Sequence, residues 1–286
     1  MEKKDENNIS FEIENLKKEN AYLSGQLIKL NQKLKESDAF KSHFISNITN
    51  EIINPFTSIL GISKGIISLN EDKIGQIHSM SNLIYNEAFD LDFQLQNIFS
   101  AAIIESGEIN LELSSINPEE SINDIIDSLR FKSEKKSQYI ELSKTNVIDH
   151  NLITDQEKFT IIIKNVLSNA IIFGKEKSKI GVELGQNNES LEIKITNDGN
   201  LLNMEDLNEI FNRFSKLDKT INSVNQGHGL GLSITKAYLE FLDGDIKAES
   251  SKENGNVFTI TLPPAHSGED TLIRDDDLFV DDSEIF

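Results

Sequence analysis

The chain has 286 residues, 37% of them hydrophobic, which is enough to bury one sizeable core and a second, smaller helical one. A net charge of −20 at pH 7 and a pI near 4.6 argue against nucleic acid and anionic membrane surfaces as partners, because both carry the protein's own sign. Cysteine is absent, so neither a disulfide framework nor a thiolate metal site is available, and the five histidines are scattered without metal-ligand spacing.

The N-terminal MEKKDENNIS is charged and leads into no apolar run of signal-peptide or membrane-span length. No direct membrane insertion is expected, and a cytoplasmic protein is. From Ile9 to Leu34 the residues Ile9, Ile13, Leu16, Asn20, Leu23, Leu27, Leu30 and Leu34 recur in alternating steps of four and three, the seam of a coiled coil. Ile13, Asn20, Leu27 and Leu34 take the a positions, and Ile9, Leu16, Leu23 and Leu30 the d positions. Asn20 is polar within the seam, which costs stability and favours a parallel two-stranded register. The alternative is one amphipathic helix packed on its own domain.

A second helical pattern runs from Phe40 to about Leu69, followed by the turn-like Asn70-Glu71-Asp72 and a third helical pattern to about Ser106. Two long helices with a short turn make an antiparallel hairpin, and two chains would combine their hairpins into a four-helix bundle. Gly107 is the expected C-cap.

Beyond Ile109 short β-like runs alternate with helical ones. Strands are expected at Leu111–Leu113, Glu141–Thr145, Lys179–Leu184, Leu191–Thr196 and Asn256–Leu262. Helices are expected at Pro118–Glu134, Asp155–Phe173, Met204–Phe211 and Gly231–Leu242. The predicted class is α followed by α/β: a coiled coil over 1–39, a helical-hairpin dimerisation bundle over 40–108 and an α/β sandwich over 109–264. The remainder, 265–286, is an acidic tail with Leu278, Phe279, Val280, Ile285 and Phe286 among its carboxylates; it is expected not to fold alone. It reads equally as a motif for a tail-binding protein or as a solubilising extension.

Lys41 to Gly61, KSHFISNITNEIINPFTSILG, resembles the phosphoacceptor segment of sensor histidine kinases, aligned through Lys41, Phe44, Asn47, Glu51 and Pro55. Ile103 to Glu108 is similar to the end of that family's second bundle helix. The resemblance places Asn50 where the family carries its phosphorylated histidine, Ile53 where it has a basic residue and Asn54 where it usually has threonine. A carboxamide nitrogen is delocalised into its carbonyl and is a poor nucleophile where imidazole is a good one, so no phosphate is expected on Asn50. His43 lies about two helical turns earlier and reads as a surface residue. Pro55 lacks an N–H and is expected to kink its helix. Glu51 and Asn54 stand on one helix face and match the family's Glu-x-x-Thr/Asn phosphatase motif, in which the polar residue orients a water against a phosphoaspartate. They read equally as solvated helix residues.

Four further motifs extend the resemblance to the nucleotide-binding half, a GHKL-type ATPase domain. In DQEKFTIIIKNVLSNAIIFG, Asn165 and Asn169 are four apart and share a face, which in the family offers an amide oxygen to Mg²⁺ (here Asn169) and polar contacts to phosphate. Two amides in an apolar helix are hard to explain as core, because buried amides need partners. The family's lysine three residues on is Ile172. In ITNDGNLL, Gly199 anchors the place of Asp-x-Gly-x-Gly, so Asn197 replaces the aspartate that accepts from the adenine amino group, and Leu201 replaces the second glycine. A register one residue later would make Asp198 the acid but displace Gly199. Ile210 to Phe214 places Arg213 near the phosphates. Gly227, Gly229 and Gly231 in GHGLGLS form a glycine-rich turn opening a helix whose N–H groups can hold phosphate. Ser215 to Gln226 would be a mobile lid.

The resemblance thus implies ATP or ADP with Mg²⁺ as ligand, a homodimer, and a response regulator receiver domain or a partner histidine kinase as the protein bound. The leading expectation is a two-component pseudokinase and scaffold lacking the phosphoacceptor. A phosphatase acting through Glu51 and Asn54, and an ATP-dependent kinase that phosphorylates a partner, are the alternatives.

Overall fold

The computed structural model describes residues 2–145, 151–187, 190–212 and 229–264, with side chains for all of these except 2–15, 33–51, 71 and 208. Two compact units divide at Leu95 and Gln96.

In the first unit, α1 (Glu2–Ile67) is one uninterrupted helix of 66 residues, about 100 Å long at 1.5 Å per residue. It joins the expected coiled coil to the first hairpin helix, and its helical assignment continues through Pro55. A 3₁₀ turn (Glu71–Lys73) follows and leads into α2 (Ile74–Ser106). Gly65 of α1 lies against Met80 of α2: a Cβ there would be 2.6 Å from Met80 Cε. Leu16, Leu23, Leu27 and Leu30, all seam positions, are at least 49% exposed in the single chain. Such a helix gains little from its own fold, since helix stability comes mostly from packing an apolar face. Gly107 ends α2 at a φ of +71°, a conformation that favours glycine.

The second unit begins with the last turns of α2. It contains β1 (Leu113–Ile116), α3 (Pro118–Lys135), β2 (Tyr139–Lys144), β3 (Leu152–Asp155), α4 (Gln156–Phe173), β4 (Lys179–Asn187), β5 (Ser190–Asn197), α5 (Met204–Glu209), α6 (Gly231–Phe241), β6 (Asp245–Ser251) and β7 (Gly255–Leu262). A five-stranded sheet has the order β2-β4-β5-β7-β6, parallel only between β2 and β4, and β1 pairs antiparallel with β3 in a separate ribbon. In β5 and β7 buried residues alternate strictly with half-buried ones, the mark of a sheet covered by helices on one face. Helix α4 lies between α3 and α6 against that face. Its Phe159, Ile163, Val166 and Leu167 meet a core that includes Ile122, Leu129, Ile193, Ile195 and Leu239, all at most 1% exposed. This is the predicted α/β sandwich.

Several elements differ from the sequence expectation. The first strand starts at Leu113 rather than Leu111, because its register is set by β3, with Leu113 opposite Asp155 and Ile116 opposite Leu152. Strands β3 and β6 were not expected at all. β3 has four residues directly before a helix, and β6 is an edge strand whose Ile246 is its only fully buried residue, so neither shows an apolar run. Helix α5 ends at Glu209, two residues short of the expected Phe211, after starting on a capping box between Asn203 and Asp206.

Candidate functional site

The site is built around α4, and its start is fixed by Asp155. This carboxylate, 1% exposed, caps the helix through Lys158 N, at 3.0 Å, and accepts from Glu112 N at 2.8 Å. The Lys158 ammonium lies 3.5 Å away. Burial alone would lower the pKa of Lys158, but a hydrogen bond to Glu157 and the charge of Asp155 outweigh it and hold the group above its ordinary 10.5.

The far end of α4 is held from outside. Lys136 Nζ donates to the carbonyls of Ile171 and Gly174, each at 3.1 Å, and to that of Ile172. Gln138 Nε2 donates to the carbonyls of Ile171 and Lys175. A cation and an amide thus satisfy acceptors that a helix C-terminus leaves unpaired. The chain then forms an isolated bridge between Gly174 and Gly199, and Lys175 N donates to Asp198 O at 3.0 Å.

Asn165 and Asn169 share one face of α4, with Asn165 buried and Asn169 half-buried. Asn165 Nδ2 donates to Asn97 Oδ1, at 2.9 Å, from the last turns of α2. Its Oδ1 faces the opening of α6, where a Cβ on Gly231 would approach to 3.0 Å. Gly231 therefore lets α6 begin against the asparagine, and Gly229 just before it has a φ of +66°. Arg213, Gly227 and the expected lid lie outside the described residues.

Asn197 ends β5 and is 2% exposed, whereas the Asp198 side chain is 64% exposed and pairs with Lys175 Nζ at 3.1 Å. The neutral amide therefore faces inward and the carboxylate faces water. Gly199 lies beside it so tightly that a Cβ would meet Phe173 O at 2.6 Å. The next turn is tied down by Asn256, whose Nδ2 donates to Asn200 O and whose Oδ1 accepts from Ser250 Oγ; that hydroxyl in turn accepts from Leu202 N. The Leu201 side chain is 46% exposed. Among the described residues no group of three or more His, Cys, Asp or Glu could hold a metal ion, so the amide face of α4 is the one candidate for metal contact that the sequence supplied.

Residues 154–266 match the family model described as histidine kinase-, DNA gyrase B-, and HSP90-like ATPase. The chain is similar to sensor histidine kinase cores. Curated relatives include the circadian input-output histidine kinase CikA of Synechocystis, 28% identical over 235 residues, 79% of this chain and 31% of that protein. The autoinducer 2 sensor kinase/phosphatase LuxQ of Vibrio parahaemolyticus is 28% identical over 233 residues, 78% of this chain and 26% of that one. The chain therefore spans less than a third of the length of either relative. Among solved structures, histidine kinase ThkA in complex with response regulator protein TrrA shares the fold, with a TM-score of 0.52, 22% identity and coverage of 81% of this chain and 64% of that one.

The second unit contains two polar contacts to the end of α2 that the sequence did not announce. One is the bond from Asn165 to Asn97; the other joins Tyr238 of α6 to Ser100. Asn97 and Ser100 are both buried, so the last turns of α2 form part of the ATPase unit's packing. The only sequence trace is that both are small polar residues inside an apolar helix. Burial raises the Tyr238 phenol above its ordinary 10.0, with Ser100 and the Lys158 ammonium acting in the opposite sense. Above pH 10 the unfolded chain releases a proton that folded Tyr238 keeps, so stability falls as pH rises through that value; raised Lys158 acts the same way above 10.5. Urea unfolding at pH 9 and pH 11 is expected to show a smaller loss between them for Tyr238→Phe than for the unaltered chain. Among the described residues no helix is long and apolar enough to cross a membrane.

Proposed function

We propose that the chain is a dimeric regulatory component of two-component signalling, cytoplasmic, which binds a response regulator receiver domain or a partner histidine kinase and carries no phosphate itself. The observation that carries this reading is the side chain at position 50 of α1. Position 50 is an asparagine, with a carboxamide where the family has an imidazole. A scaffold needs the docking surface and the dimer but not the nucleophile.

Dimerisation through α1 is supported by its exposed seam leucines, which a second copy would cover in a parallel register marked by Asn20. Nucleotide binding, as ATP or ADP with Mg²⁺, is supported by the match to the ATPase family and by a cradle of the right chemistry. Asn169 would offer its amide oxygen to the metal, Asn165 with Gly229 and Gly231 would border the phosphates, and Asn197 with Gly199 would floor the base. A bound nucleotide supplies a conformational ligand and, for a partner's histidine, a transferable phosphoryl group. The loss of a cation at Ile172 weakens phosphate neutralisation, which favours the scaffold over the partner-directed kinase. Labelled ATP, given to the chain alone and with candidate receivers, tests the reading: label on the chain would refute it, and receiver binding without label would support it.

A second reading, response regulator phosphatase, has its own support. Asn54 is exposed on α1, so an amide able to orient water stands at the helix surface. LuxQ is named both kinase and phosphatase. For a phosphatase, Asn54→Ala is expected to slow dephosphorylation of the cognate phosphoregulator by roughly a hundredfold, the scale of losing one oriented polar group at a reacting centre. An unchanged rate would leave the scaffold reading alone.

A further inference from the structure

Asn197 is 2% exposed, and its Nδ2, fully buried, has no hydrogen-bond partner among the described residues. A buried donor left unpaired is uncommon in a folded protein, because it has given up water for nothing. The neighbours that might have served it are engaged elsewhere. Asn256 gives its amide hydrogen to Asn200 O and receives Ser250 Oγ on its oxygen. Asp198 is turned to solvent with Lys175. Gly199 keeps the space beside Asn197 free of a side chain, with Asn197 Nδ2 only 2.7 Å from where its Cβ would be. The floor of the base site therefore presents a neutral group with one donor and one acceptor.

From this we infer that the site accepts nucleotides of 6-oxopurines, hypoxanthine and guanine, alongside those of adenine. The inference rests on the nucleotide-binding reading above and names the class of base. Adenine shows an amino donor at position 6 and an acceptor at N1, whereas a 6-oxopurine shows an acceptor at position 6 and a donor at N1. A carboxylate facing position 6 can only accept, so it pairs with the amino group of adenine and repels the oxygen of a 6-oxopurine. A carboxamide pairs with both, one in each of two orientations related by a half-turn of its terminal torsion, which is broad and roughly two-fold. Sites built on a single fixed hydrogen bond discriminate by large factors because the wrong ligand leaves a buried group unpaired, and here neither edge does so.

The test compares Mg²⁺-ADP with Mg²⁺-IDP, which differ only at this edge, by calorimetric titration of the full chain and of Asn197→Asp. For the unaltered chain the two dissociation constants are expected to agree within about tenfold, and for Asn197→Asp the preference for ADP is expected to grow by about a hundredfold or more. A preference for ADP above about a hundredfold in the unaltered chain would overturn the inference while leaving nucleotide binding intact. Failure of both ligands to bind would overturn nucleotide binding and the inference with it. The ratio in the unaltered chain decides the matter by itself, so an aspartate variant that does not fold changes nothing.

Discussion

Incubated with Mg²⁺ and γ-labelled ATP, the purified chain is expected to acquire no acid-labile phosphate, and Asn50→His is expected to acquire it. The first half follows from the amide: its nitrogen lone pair is shared with the carbonyl, so it neither attacks a phosphoryl group nor holds one. The second half follows from what is retained around position 50. Glu51 remains beside it on α1 to act as base, and the ATPase domain retains its amide face and glycine turn. Label on the unaltered chain that vanishes in Asn50→Ala would refute the scaffold reading. An unlabelled Asn50→His variant that still binds ADP would place the deficit in the nucleotide half, at Ile172 and Leu201, rather than at the acceptor.

The sandwich was legible because its core obeys simple periodicities. The alternation from Leu191 to Ile195 and the apolar run from Phe159 to Ile171 each carry more buried residues than a loop would tolerate. β3 and β6 were not legible, since Leu152 and Ile246 have meaning only through their cross-strand partners, Ile116 and Ile260. The long helix was legible only in pieces: three patterns meet without a break in α1 and α2 apart from the turn after Ile67, and the sequence gives no cue that the first two are continuous.

The candidate site divides along a similar line. Residue types were legible: Asn165 and Asn169 on one helix face, glycines at 199, 229 and 231, an amide at 197. Their reasons were not. Gly231 is explained by Asn165 Oδ1, and Gly199 by Phe173 O, contacts between residues far apart in sequence. The bond from Asn165 to Asn97 joins positions 68 apart, and no local pattern encodes it. It also places an α2 residue on the amide that borders the proposed phosphate site, so a change at Asn97 is a change to that site.

Asp155→Ala is expected to lower the stability of the ATPase unit by about 2–4 kcal/mol, the sum of a lost helix cap and buried groups left without a partner. Two backbone donors, Lys158 N and Glu112 N, lose their acceptor at once, and the Lys158 ammonium, whose side chain is only 13% exposed, loses one of its two carboxylate partners. For a unit of this size the loss corresponds to a melting temperature roughly 5–15 °C lower. Asp155→Asn keeps an oxygen for the cap but no charge for Lys158, so its loss is expected to be smaller, and the gap between the two variants measures the part due to the cap. The consequence should extend along α4 to the site. Asp155 fixes where the helix starts and how it joins the β1–β3 ribbon, and Asn165 and Asn169 inherit their positions from that start. ADP affinity is therefore expected to fall further in Asp155→Ala than in Asp155→Asn at a temperature where both remain folded. Equal melting temperatures for Asp155→Ala and the unaltered chain would show that the cap is dispensable and that the Lys136 and Gln138 contacts at the other end suffice to place the helix.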